Sequence, residues 1–151
     1  MSATKNLRIK SFAPIPAPKD FIAQYPLSDS ARASVVAGRK DVENILDGKD
    51  TRKLIIVGPC SIHDTKAAIE YAIKLNELRK KVEDKLVIVM RVYLEKPRTT
   101  IGWKGFLYDP FLDGSYKLSE GVKQSRELLI KINELGLAAA AEGREAEALA
   151  H

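Results

Sequence analysis

The sequence predicts an α/β fold built from consecutive β/α units, and three observations carry that prediction. Two short apolar runs, at 54–57 and 86–93, read as strands buried on both faces, the pattern of a parallel sheet. Between them lies a stretch of helical periodicity long enough to cross over from one parallel strand to the next. The residues able to do chemistry cluster just after the two runs, where α/β folds place their sites.

The elements follow in order. Residues 1–27 read as an arm: Leu7, Ile9 and Phe12 are spaced apolar residues, and Pro14, Pro16 and Pro18 then block regular structure. Such an arm is expected to extend away from its own β/α units, with a short strand added to another surface. Ser28, Asp29 or Ser30 caps a helix to about Asp47, with Ala31, Val35, Val42, Ile45 and Leu46 on its apolar side and Gly48 as its stop. The strand at 54–57 ends at Gly58-Pro59. Asp64 or Thr65 caps a second helix to about Val82, with Ala68, Ile69, Ala72, Leu75, Leu78 and Val82 as its buried stripe. After the strand at 86–93, a long polar, Gly-rich loop covers about 95–118. Ser119 caps a third helix, with Val122, Leu128, Leu129, Ile132 and Leu135 inward and Gly136 as its stop. Leu137 and four alanines follow. Repeated β/α units fit a (β/α)8 barrel or an open doubly wound sheet, and the absence of GxGxxG after the first strand counts against a dinucleotide fold.

Composition narrows the function. At 45% hydrophobic and 30% charged, the chain has enough apolar residues for a core. Its formal net charge of +5 comes from basic residues interspersed with acids, which suits small anionic ligands better than nucleic acid. No aromatic platform is interleaved with the cations, as a nucleic-acid binder would need. The lone cysteine, Cys60, cannot pair within the chain. No apolar run could span a bilayer, and the first residues lack the apolar stretch of a signal peptide, so the expected location is the cytoplasm.

The candidate chemistry starts at Gly58-Pro59-Cys60-Ser61-Ile62-His63-Asp64. A sharp turn there would present Cys60 at the strand mouth, and a thiolate is a good ligand for a divalent transition metal. A lone cysteine is also commonly a small buried hydrophobe. His63 is either a second ligand or acid/base group, or a loop residue bonded to nearby backbone. Arg91 interrupts a strand of Leu, Val, Ile and Met, and a buried guanidinium needs an acid, a ligand or solvent. Glu95 is one structural partner for it, and an anionic ligand is the other reading. Lys96, Arg98, Thr99 and Thr100 flank Pro97 and together suit phosphate or carboxylate. Trp103 is read as an anchor for the loop, and Lys104 as one more candidate cation. These residues reach a cationic site for phosphorylated anions with a metal option at Cys60; they do not reach a reaction.

The strings IIVGPCSIHD (55–64) and VMRVYLEKPRTTIGWKG (89–105) closely resemble class I 3-deoxy-D-arabino-heptulosonate 7-phosphate (DAHP) synthase. Asp109-Pro110, Asp113-Gly114-Ser115 and Asn133-Glu134-Leu135-Gly136-Leu137 continue the resemblance, which covers about residues 5–142. The resemblance implies a (β/α)8 TIM barrel, of which about the first three β/α units lie here after the arm and leading helix. It implies condensation of phosphoenolpyruvate with erythrose 4-phosphate to give DAHP and phosphate, the first step toward aromatic amino acids. It implies Cys60 as a metal ligand, Arg91 and Lys96 at phosphoenolpyruvate, Arg98 and Thr99 at erythrose 4-phosphate, and Glu142 near phosphoenolpyruvate. Lys96 is further expected to give a proton to the developing alkoxide or relay one through water. The implied cofactor is a divalent cation, with manganese, iron, cobalt and zinc all suitable. The implied partners are the two substrates, a homo-oligomer and an aromatic amino acid as feedback inhibitor, with no nucleic acid and no membrane.

The resemblance sets three boundaries: an arm at 1–27, the N-terminal part of the barrel with its leading helix at 28–142, and a divergent tail at 143–151. The tail favours helix by composition where the family has a buried strand. A frameshift or premature stop is the expectation there, with the remaining metal ligands outside this chain and the chain inactive alone. The alternative is a non-catalytic fragment that binds a complete synthase subunit.

Overall fold

A computed structural model describes Phe12, residues 14–96, Arg98 and residues 100–141. The expectations for Leu7, Ile9, Thr99, Glu142 and the tail at 143–151 fall outside the described residues. The element order is α1 (Pro18–Gln24), α2 (Asp29–Leu46), β1 (Lys53–Val57), α3 (Thr65–Val82), β2 (Leu86–Arg91), α4 (Leu118–Glu134) and β3 (Ala139–Ala140). The strands form one parallel sheet in the order β1-β2-β3, so the architecture is mixed α/β with a small parallel sheet.

The helices begin where their sequences supply caps. Ser28 accepts from the Ala31 amide at the start of α2, and Asp64 accepts from the Lys66 and Ala67 amides at the start of α3. Gly136, at φ 84°, takes the left-handed conformation that closes α4. The start of α4 differs from expectation. Lys117 is its N-cap, without a side-chain bond, and Ser119 lies inside the first turn. Gly121 accounts for this placement: a Cβ there would run into the Leu107 carbonyl, so the first turn of α4 rests directly on the preceding loop.

The main core cluster lies on one face of the sheet. Ile88 and Met90 of β2, with Val92 just beyond it, pack against Ala68, Ala72 and Leu75 of α3 and Leu128, Leu129 and Ile132 of α4. On the other face, α2 lies across a cavity of about 390 Å³ lined by Val35, Val42, Leu54, Ile56 and Val89. Below the strands, Arg52 donates to Asp50 and to Asp41 of α2, and to the Glu83 carbonyl at the end of α3. That cluster ties the N-terminal end of the sheet to two helices.

Four further expectations need correction. The arm does not extend away throughout its length. Pro18 takes the first position of α1, where its missing N–H is harmless, and Phe21 is only 8% exposed within the main core. The Tyr25 carbonyl then accepts from Arg126 of α4. The prolines start a helix here instead of preventing one. Next, β1 is not buried on both faces: Ile55 is 39% and Ile56 55% exposed, because the strand is at the edge of the described sheet with β2 as its neighbour. Leu78, expected in the buried stripe of α3, is exposed: Val82 further along still packs against the core, so Leu78 lies to the side of the face set by Ala68, Ala72 and Leu75. Finally, the loop after β2 is not simply polar. Leu94, Phe106 and Leu107 are among the most buried side chains of the molecule.

Phe21→Ala tests the first of these. Truncating a phenylalanine packed in the core removes about 3–5 kcal/mol of stability. Urea denaturation is expected to show a clear fall in midpoint. An unchanged midpoint would mean that α1 is not part of the folded unit.

Candidate functional site

The site forms at the C-terminal ends of β1 and β2. Parallel pairing in register, Lys53 with Leu86 through Val57 with Met90, brings the Gly58–Ser61 turn beside Arg91 and the segment after it. Gly58 is required by space: a Cβ there would run into the Arg91 carbonyl. The Ile62 amide then donates to the Tyr93 carbonyl at 2.7 Å and locks the two turns together.

Cys60 and Lys96 meet at this end. Lys96 Nζ lies 3.0 Å from Cys60 Sγ, with the thiol exposed. The hydrogen bond from Lys96, and then the charge on the same ammonium, pull the Cys60 thiol below its ordinary pKa; Arg91 and Arg98 add in the same direction. Cys60 is therefore not the small buried hydrophobe that its residue type alone allowed.

Arg91 is held by backbone. Its Nη1 donates to the Pro59 carbonyl at 2.9 Å and to the Cys60 carbonyl at 3.0 Å, and its guanidinium sits 4.6 Å from the Tyr93 ring centroid. The guanidinium thus fixes the turn that carries the cysteine. Arg98 is exposed and donates from Nε to the Trp103 carbonyl at 3.2 Å. Trp103 anchors the loop as expected, its indole N–H donating to the Asp109 carbonyl at 2.8 Å. Lys104 is less simply a free cation, since its ammonium donates to the Arg98 and Thr100 carbonyls at 2.8 and 3.3 Å. His63 is exposed on the turn before α3.

The arrangement gathers Cys60, Arg91, Lys96 and Arg98 into one electropositive patch around a polarised thiol. Such a patch can hold anionic oxygen and can offer a proton from an ammonium. For a metal, the chemistry of the thiolate fits, but the donor set is incomplete here. Among the described residues, no group of three or more His, Cys, Asp and Glu side chains could hold an ion. Apart from this patch, α4 carries a buried cation not singled out from the sequence: Arg126 is 2% exposed, donates to the Tyr25 carbonyl, and is pushed by burial below its usual pKa. Its position in the helical repeat, beside the inward Leu129 and Val122, was the available signal.

The thiol pairing has a direct check. An adjacent ammonium favours the thiolate, so alkylation of Cys60 by iodoacetamide is expected to rise with pH at a midpoint below that of an ordinary cysteine. Lys96→Gln removes the ammonium and is expected to move the midpoint upward. A midpoint unmoved by that change would show that Lys96 does not act on the thiol in solution.

Comparison with known proteins gives a consistent result. The model of the DAHP synthetase I family matches residues 24–147. A Trp-sensitive phospho-2-dehydro-3-deoxyheptonate aldolase of Enterobacter agglomerans is 49% identical over 142 residues, 94% of this chain and 41% of that protein. A phospho-2-dehydro-3-deoxyheptonate aldolase of Haemophilus influenzae is 49% identical over 140 residues, 93% of this chain and 39% of that protein. The structure of phospho-2-dehydro-3-deoxyheptonate aldolase from Francisella tularensis SCHU S4 superposes with a TM-score of 0.85 at 47% identity, covering 89% of this chain and 40% of that one. The chain therefore spans about two-fifths of the length of these relatives.

Proposed function

The chain belongs to the DAHP synthetase I family, and from that premise we propose that it carries part of the active site that condenses phosphoenolpyruvate with erythrose 4-phosphate. The observation that carries this reading is the Lys96–Cys60 contact at 3.0 Å, set among Arg91 and Arg98 at the C-terminal ends of parallel strands. We further propose that the sheet is the opening segment of a (β/α)8 barrel, in which another strand covers the apolar edge that leaves Ile55 and Ile56 exposed. In this reading the arm is 1–27 and the barrel part 28–142.

In the reaction, the methylene carbon of phosphoenolpyruvate bonds to the aldehyde carbon of erythrose 4-phosphate. The aldehyde oxygen takes up a proton, water adds at the second carbon of phosphoenolpyruvate and gives up a proton, and the bond from that carbon to the phosphate oxygen then breaks, releasing inorganic phosphate and leaving the keto group of the product. Two phosphates and a carboxylate converge, so the site needs cations to offset their repulsion. Arg91, already fixed by two backbone carbonyls, is the rigid member and is assigned to phosphoenolpyruvate together with Lys96. Arg98, with Thr99 beside it, is assigned to the phosphate of erythrose 4-phosphate, and Glu142 to the neighbourhood of phosphoenolpyruvate. An ammonium has three donors, and Lys96 uses one on Cys60, so it can also give a proton to the aldehyde oxygen as that oxygen gains charge.

Cys60 is assigned as one ligand of a divalent ion whose other ligands lie outside the described residues. Such an ion would supply Lewis-acid polarisation of the aldehyde. Regulation by an aromatic amino acid belongs to the same proposal, since relatives of this chain are named Trp-sensitive.

The test is a hybrid in which residues 1–141 replace the matching segment of the Haemophilus influenzae relative. The hybrid is expected to consume phosphoenolpyruvate only when erythrose 4-phosphate is present, and Cys60→Ala in it is expected to abolish the metal-dependent rate. A well-folded hybrid without condensation would sink the reading. The 151-residue chain assayed alone is expected to show no metal-stimulated consumption of phosphoenolpyruvate.

A further inference from the structure

The segment after β2 closes on itself through one side chain. Lys104 sends its ammonium back to the Arg98 and Thr100 carbonyls at 2.8 and 3.3 Å, while its own carbonyl accepts from the Lys96 amide at 2.8 Å. Arg98 completes the loop from the other side, donating to the Trp103 carbonyl at 3.2 Å. Two glycines make room for this closure. The Arg98 side chain lies over Gly102, where a Cβ would come within 3.0 Å of it, and Gly105, at φ 111°, packs against the Glu95 backbone. The result is a short crossed loop whose two ends carry Lys96 and Lys104 as hydrogen-bonded neighbours.

We infer that Lys104 is a positioning residue: its ammonium holds the Arg98 and Thr100 carbonyls so that Arg98 is aimed at an anion, and Lys104 is not itself an anion ligand. An ammonium has three donors, and two are aimed at these backbone carbonyls. Charge-assisted bonds of this kind are stronger than neutral ones, and two of them from one group define a position as well as an energy. Arg98 is exposed and its guanidinium has many rotamers, so what orients it toward a ligand is the backbone beneath it together with its Trp103 bond. Because Lys96 is joined to Lys104 through the backbone, the same closure fixes the start of the segment that reaches Cys60. This inference rests on the reading of the site as an anion-binding one, but its structural half stands apart from that reading.

The test uses the full 151-residue chain and inorganic phosphate as the probe. NMR follows amide hydrogen exchange at Lys96, which reports the loop, and at Met90, whose amide bonds the Ala138 carbonyl and reports the sheet. The Arg98 Nε–H signal is followed through a phosphate titration. Lys104→Met is expected to speed exchange at Lys96 by about three- to tenfold, as loss of partly exposed charge-assisted bonds implies, with Met90 unchanged. Phosphate binding at Arg98 is expected to weaken together with the loop, and Lys104→Arg, which keeps donors for both carbonyls, is expected to restore both. If Lys104→Met does not fold, Lys104→Gln, neutral and still able to reach one carbonyl, takes its place with smaller changes expected. Unchanged exchange at Lys96 would overturn the inference. So would weaker phosphate binding with the loop intact, since that makes Lys104 a ligand. If exchange depends on Lys104 but phosphate never perturbs Arg98 in the parent chain, the loop closure is supported and the anion reading of the site is what fails.

Discussion

Gly58→Ala is expected to unseat the site and to destabilise the fold by about 3 kcal/mol, within the range for forcing an added methyl into a packed region. The position leaves no flexible neighbour to yield, because the new Cβ would meet the carbonyl of Arg91, a backbone atom of β2. Either the ends of β1 and β2 part, or the turn carrying Cys60 rotates away. Both movements separate Cys60 from Lys96 and pull the Pro59 and Cys60 carbonyls off Arg91. Urea denaturation reads the first effect, and the pH dependence of Cys60 alkylation reads the second, with its midpoint expected to move up toward an ordinary thiol. Parent-like values in both measurements would show that the close approach at Gly58 is not required.

Arg91→Met in the hybrid synthase is expected to lower kcat/KM for phosphoenolpyruvate by about thirtyfold to several thousandfold. Removing one member of a close charge contact typically costs about 2–5 kcal/mol, and each 1.4 kcal/mol or so is a factor of about ten. Two functions are lost together: the cation facing the substrate and the clamp on the Pro59 and Cys60 carbonyls. Arg91→Lys separates them. It keeps the charge but gives up the planar guanidinium that lies against Tyr93 and sets the direction of Nη1 toward the two carbonyls. If the charge alone matters, Arg91→Lys recovers most of the rate; the geometry here leads us to expect only a small part of it. A hybrid with Arg91→Met and an unaltered kcat/KM for phosphoenolpyruvate would remove Arg91 from the substrate site.

The sequence by itself determined the β/α alternation, the helix starts at Ser28 and Asp64, and the stop at Gly136. These depend on local chemistry: caps bond to amides two or three residues away, and a left-handed residue favours glycine. It also marked Cys60, Arg91, Lys96 and Arg98, since thiols and cations directly after apolar runs stand out against their surroundings. Only the tertiary structure decided what those groups do to one another. The Lys96–Cys60 contact spans 36 positions and depends on the register of two strands, which no local pattern encodes. The same holds for Phe21, whose burial comes from packing α1 into the core formed largely by α3, α4 and β2, against a proline-rich composition that reads as extended. It holds for Ile55 and Ile56, where an apolar run fixes the strand but not its number of neighbours. Lys104 shows the limit most clearly: its composition says cation, and only the fold of the loop turns its charge onto the backbone that carries Arg98.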